Sequence, residues 1–221
     1  MPIRPRLIAA TGLTLLAAAL GGCKSKGDIV VDEGVGITAV RTACPAVGVP
    51  DYTGDVTTFR TPGATDAGSI DVVAALTNLR PACTDQGASE KIYSQTGFDV
   101  LARRTDTRGA RTVQLPYFVT VLRAGRQVVS KRVGTVTLNF ADGQERAQAH
   151  AEAGAWVDRA EATLPIDIRQ RITRKRKAGE ADAAIDPLTL PEVRAAVARA
   201  SFEVLIGFQL NDEQLAYNVR R

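Results

Sequence analysis

Between Ile70 and Phe140 apolar residues recur at every second position, in short runs separated by turn residues. Ile70, Val72, Ala74 and Leu76 alternate with their neighbours, and so do Ile92, Thr96, Phe98 and Val100. A period of two lays one set of side chains on each face of an extended strand, a pattern no helix can use. Val113 to Leu122 is β-branched and aromatic, with Pro116 marking an edge or a bulge. Ala124-Gly125 reads as a turn, followed by strands at Val128–Val133 and Thr135–Phe140. Ala141-Asp142-Gly143 is a hairpin turn. Ala147–Ala151 and Val157–Leu164 read as further strands. Short strands at this spacing predict a mainly β fold, an antiparallel β-sandwich of the immunoglobulin or fibronectin kind.

The flanking segments differ. From about Gly34 to Gly68 the chain is rich in Gly, Pro, Thr and Asp, which predicts loops with short strands at Ile37–Val40 and Val56–Phe59. Near the C-terminus, Pro165 opens a predicted helix over about 166–178. It carries Arg169, Arg171, Arg174, Lys175, Arg176 and Lys177 and stops near Gly179. Thr189-Leu-Pro-Glu192 reads as a capping box opening a helix over about 190–200. Phe202, Val204, Ile206, Phe208 and Leu210 then alternate as a last strand. Leu205 on its other face makes that strand central.

The N-terminus is of another kind. Arg4 and Arg6 precede an unbroken apolar or small stretch from Leu7 to Leu20, and Leu20-Gly21-Gly22-Cys23 follows. A cationic start, a short apolar core and small residues describe an export signal. The core is too short to span a bilayer, which takes about 20 residues. Leu20-Gly21-Gly22-Cys23 resembles the lipobox of bacterial lipoproteins. The resemblance implies removal of residues 1–22, and diacylation and N-acylation of Cys23, palmitate being an expected chain. Lys24 to about Gly34 reads as a short polar tether, which makes 23–34 a lipidated tether and 35–221 a single domain. Lys24, where many such proteins carry an inner-membrane aspartate, implies the periplasmic face of the outer membrane. The C-terminal stretch RKRKAGEADAAIDPL through FEVLIGFQLNDEQLAYN is similar to a group of uncharacterised bacterial envelope lipoproteins, to which no activity is attached.

Export shapes the remaining expectations. The formal charge of +4 falls to +2 once Arg4 and Arg6 leave, so the basic balance gives little reason to expect nucleic acid. Cys44 and Cys83 remain after lipidation, and an exported pair is expected to form a disulfide. Two cysteines and the distant His150 do not make a tetrahedral metal set. No serine or cysteine neighbours His150, and the sequence contains no nucleophile elbow, zinc motif or phosphate loop. No catalytic residue, cofactor or metal ligand is therefore nominated. Asp99, Asp142 and Asp158 read as exposed strand, turn and strand-edge residues, and Trp156, the only tryptophan, as core.

The expected role is non-catalytic. The chain is tied to the membrane by its lipid and gives structural support or docks an envelope protein. One alternative is recognition of an anionic lipid or glycan by the cations at 169–177. Another is an envelope hydrolase or transferase, which needs a cleft with clustered carboxylates or a serine–lysine pair.

Overall fold

The alternating runs become strands long enough to cover one another. The computed structural model describes residues 41–85 and 87–221. The signal, Cys23, the tether and the expected strand at 37–40 lie outside these residues. The strands are β1 (Ala46–Gly48), β2 (Asp55–Phe59), β3 (Ile70–Cys83), β4 (Lys91–Arg104), β5 (Arg111–Arg123), β6 (Gln127–Phe140), β7 (Arg146–Asp158) and β8 (Phe202–Phe208). The helices are α1 (Arg159–Ala162), α2 (Ile166–Thr173), α3 (Pro191–Ala200) and α4 (Asp212–Arg220).

The strands form two four-stranded sheets, ordered β2-β3-β4-β7 and β1-β8-β5-β6. All pairings are antiparallel except β1 on β8, which is parallel. The fold is a β-sandwich. The period-two face of β4 is buried without a slip from Ile92 through Phe98 and Val100 to Arg104. It packs with Val72, Ala74, Leu115, Val121, Leu138 and Ile206 in one core drawn from both sheets. Ile168, Ile172, Val193 and Ala196 form a second, smaller core between α2 and α3.

Several expectations change at this level. The pairs of strands read at 128–133 and 135–140, and at 147–151 and from 157, are single strands, β6 and β7. Gly134 and Gly154 interrupt the sequence pattern but not the ladders, because Tyr117 and Tyr93 lie over them. Residues 159–162 turn into α1, capped by the Asp158 carboxylate accepting from the Ala160 and Glu161 amides. Pro116 lies in a central strand, not an edge. Pairing of β5 with β8 begins only at Tyr117↔Phe208, so the missing proline N–H meets no strand partner there. The helix expected over 166–178 ends at Thr173, since Arg174 is extended. Thr189 caps nothing. Its hydroxyl donates to the Asp186 carbonyl inside a short 3₁₀ turn, and α3 begins with no side-chain cap. Helix α4 has no counterpart in the expectations from sequence, although Asn211 and Gln214 form a reciprocal capping box at its start. Helix α3 and the central position of β8 are as expected.

Candidate functional site: an outward sheet face and a cationic hairpin

On β4 and β7 the positions not used by the core point outward and stand in register. Tyr93 pairs with Trp156, Gly97 with Glu152, and Asp99 with His150. Trp156 is 52% exposed, which corrects its reading as core. The β4 alternation decides this. Ile92 and Ser94 face in, so Tyr93 and its partner Trp156 face out. The two rings lie 4.6 Å apart, and the Tyr93 ring covers Gly154, where a Cβ would collide with its hydroxyl.

Farther along the same face is a polar cluster. The β3–β4 register shifts between Thr77 and Arg80, with Asn78 in the left-handed region at φ 56°. A bulge of this kind re-aims side chains. Here it brings both Asn78 and Arg80 onto Asp99. The Asn78 amide donates to Asp99 Oδ2 at 2.6 Å, and the Arg80 guanidinium to Oδ1 at 3.0 Å. His150 Nδ1 lies 2.8 Å from the same Oδ1. These contacts, His150 first, then Asn78 and Arg80, pull the Asp99 carboxyl down to about 2. The sequence placed Asp99 on the outer face correctly. It did not show the bulge that supplies two of its partners.

The cysteines of the domain and the cations at 169–177 have definite places. Cys44 and Cys83 are joined, with Cα atoms 6.0 Å apart. The cations at 169–177 do not share a helix face. Arg171 pairs with Glu192 at 2.7 Å, and Arg174 with Glu180 at 2.8 Å and Asp182 at 2.9 Å. Arg176 is buried, 3.3 Å from Asp182. Helix α2 stops early because Arg176 turns back and donates to the Arg171 carbonyl at its end. Lys175 and Lys177 lie beyond the end of the helix, and Arg169 stays on its exposed side.

Two features went unnoticed in the sequence. Arg104 is 1% exposed, and its guanidinium donates to the carbonyls of Gln144, Gly109, Thr107 and Ala141 at 2.8–2.9 Å. Only its place at the end of the β4 alternation pointed inward. The other is the β5–β6 hairpin, which carries five cations and no acid between Arg111 and Phe140. Asp71 pairs with Arg111 at 2.6 Å and Glu161 with Arg123 at 3.3 Å. Arg126, Lys131 and Arg132 have no carboxylate partner among the described residues. Around them Val128, Val129 and Val133 are each about half exposed or more, on a strand whose outer edge is free. The turn at this tip, Ala124-Gly125, has φ of 55° and 70°, the left-handed pair of a tight hairpin.

A cleft of about 640 Å³ lies between β2, the loop 61–65 and α4. Phe59 and Tyr217 meet edge to face at its side, 5.1 Å apart. Its lining holds one carboxylate, Glu213, and neither a serine nor a lysine. The outward face of β4 and β7 and the β5–β6 hairpin are the other two surfaces with a distinct composition. Set beside known protein families, curated proteins and solved structures, the chain matches none, so its function has to be argued from these surfaces.

Proposed function

We propose that this chain is a lipid-anchored lipoprotein of the cell envelope, held through Cys23 at the periplasmic face of the outer membrane. Its domain serves as a non-catalytic module that docks an envelope protein. The observation that carries the docking role is Trp156. An only tryptophan left half exposed against Tyr93, on a flat sheet face, is the kind of aromatic anchor that dominates protein interfaces. The Asp99–His150–Arg80–Asn78 cluster beside it adds fixed polar groups that orient a partner. The Cys44–Cys83 bridge supports the exported setting, since such bonds persist in oxidising compartments.

A photo-crosslinking amino acid at position 156, introduced in cells, is expected to capture one discrete envelope protein. The same group at position 108, on a loop between β4 and β5, is expected to capture none. Equal labelling from both positions, or no adduct at 156, would sink the docking role. Radiolabelled palmitate tests the anchor, which fails if serine at position 23 leaves labelling unchanged.

The alternative of anion recognition by Arg169–Lys177 is weaker. Arg171, Arg174 and Arg176 already hold carboxylates, which leaves Arg169 and Lys177 as its strongest support.

A further inference from the structure

Three cations without an ion pair among the described residues, Arg126, Lys131 and Arg132, sit on the β5–β6 hairpin, and the hairpin tip lies where the chain leading from Cys23 joins the fold. The Arg41 guanidinium donates to the Ser201 hydroxyl at 3.1 Å, and the Ser201 carbonyl accepts from the Ala124 amide, in the hairpin turn, at 3.0 Å. Cys23 precedes Arg41 by eighteen residues, so the lipid can lie no farther than about 60 Å from this point. The opposite end of β6, at Phe140, is some 45 Å away along the strand.

The hairpin itself carries no acid, and the Glu203 carboxylate of β8 stands beside its turn, 3.9 Å from where a Cβ on Gly125 would lie. Arg126, Lys131 and Arg132 have no ion pair among the described residues, and Lys131 Nζ sits 5.2 Å above the Phe118 ring. Val128, Val129 and Val133 stand exposed between them. Cations interleaved with short apolar side chains match the boundary of an anionic bilayer, where phosphates meet acyl chains. An extended acidic peptide would satisfy the cations and the free strand edge. It would not account for valines exposed on both faces of that edge, nor for the approach of the chain that leads to the lipid.

We infer that the β5–β6 hairpin tip is a membrane-contacting element, with Arg126, Lys131 and Arg132 binding the phosphates of anionic lipids in the leaflet that holds the anchor. This orientation rests on the lipoprotein reading, whereas the lipid contact itself can be measured without the anchor. The contact turns the domain so that its N-terminal junction faces the bilayer.

The test uses residues 24–221, which contain both cores in full, and vesicle flotation. The unlipidated chain is expected to float with mixed phosphatidylglycerol–phosphatidylcholine vesicles at low salt, and not with phosphatidylcholine alone. Raising the salt is expected to release it. Glutamine at 126, 131 and 132 together is expected to weaken binding at least about tenfold. Glutamine at Arg103, Arg108 and Arg146, at the far end of the sandwich, should leave it unchanged. Failure to float with phosphatidylglycerol, or an equal loss from the far-end triple, overturns the contact. Retention on immobilised polyglutamate without flotation, again dependent on 126, 131 and 132, overturns it in favour of an acidic protein. Palmitate labelling of the whole chain is read separately. Labelling without flotation keeps the anchor and removes the contact, and flotation without labelling does the reverse.

Discussion

Trp156 shows what one residue's position costs and offers. Because it is the only tryptophan, its emission reports this one site. Fluorescence is expected toward the long-wavelength side of the range, with acrylamide quenching between that of a buried and that of a free tryptophan. A blue emission shielded from acrylamide would place the ring in the core and remove the docking face. Asp99 offers a second check. Its folded carboxyl is held near 2, below the ordinary 3.8 of an unfolded aspartate, so the unfolded chain takes up the proton first. The stabilisation is therefore present above about pH 4 and lost as pH falls toward 2. Thermal melts of Asp99→Asn across that window are expected to fall less steeply than those of the parent, and parallel slopes would refute this. Arg104 acts through backbone. Removing its guanidinium takes a donor from four carbonyls, of which Thr107 and Ala141 keep a backbone donor and Gln144 and Gly109 lose theirs, so Arg104→Met is expected to cost about 3 kcal/mol in denaturant unfolding. Lysine should not rescue it, since an ammonium lacks the planar fork that reaches four acceptors.

At the scale of elements, the sequence showed the strands through their alternation and misplaced their ends. Alternation is a property of side chains, whereas the length of a ladder depends on the partner strand. Gly154 looked like a break because a glycine contributes nothing to either face. In the fold it is the space that lets Tyr93 lie against Trp156. Gly154→Val is accordingly expected to shift the tryptophan emission and lower the melting temperature while leaving the strand content of the circular dichroism spectrum unchanged. Unaltered emission would show that the ring pair does not depend on this gap. Helix α2 was read too long because arginine and lysine are good helix formers. Tertiary ion pairs to Glu180 and Asp182 decided otherwise. Helix α4 was missed although Asn211 and Gln214 carried a start signal. Its buried Asn218 donates to the Tyr52 and Asp55 carbonyls, so the packed side of the helix is polar and shows no apolar stripe. The candidate surfaces were less legible than the fold, because an unpaired cation is defined by the absence of a nearby acid, which depends on the tertiary arrangement.

For the molecule as a whole, the Cys44–Cys83 bond ties the start of the domain to the end of β3, closing a separation of 39 residues. The chain-entropy estimate for a loop of that size is about 4 kcal/mol. Replacing both cysteines by serine is expected to lower stability by roughly that amount in chemical unfolding. Non-reducing mass analysis is expected to show the two joined, and free thiols in protein purified without reductant would refute the pairing.

Strand β8, near the end of the polypeptide, lies between β1 and β5, both made much earlier. A polypeptide made from its amino end presents those two strands long before the one that joins them. That sheet cannot shut until β8 has left the ribosome, so β1 and the β5–β6 hairpin wait apart until then.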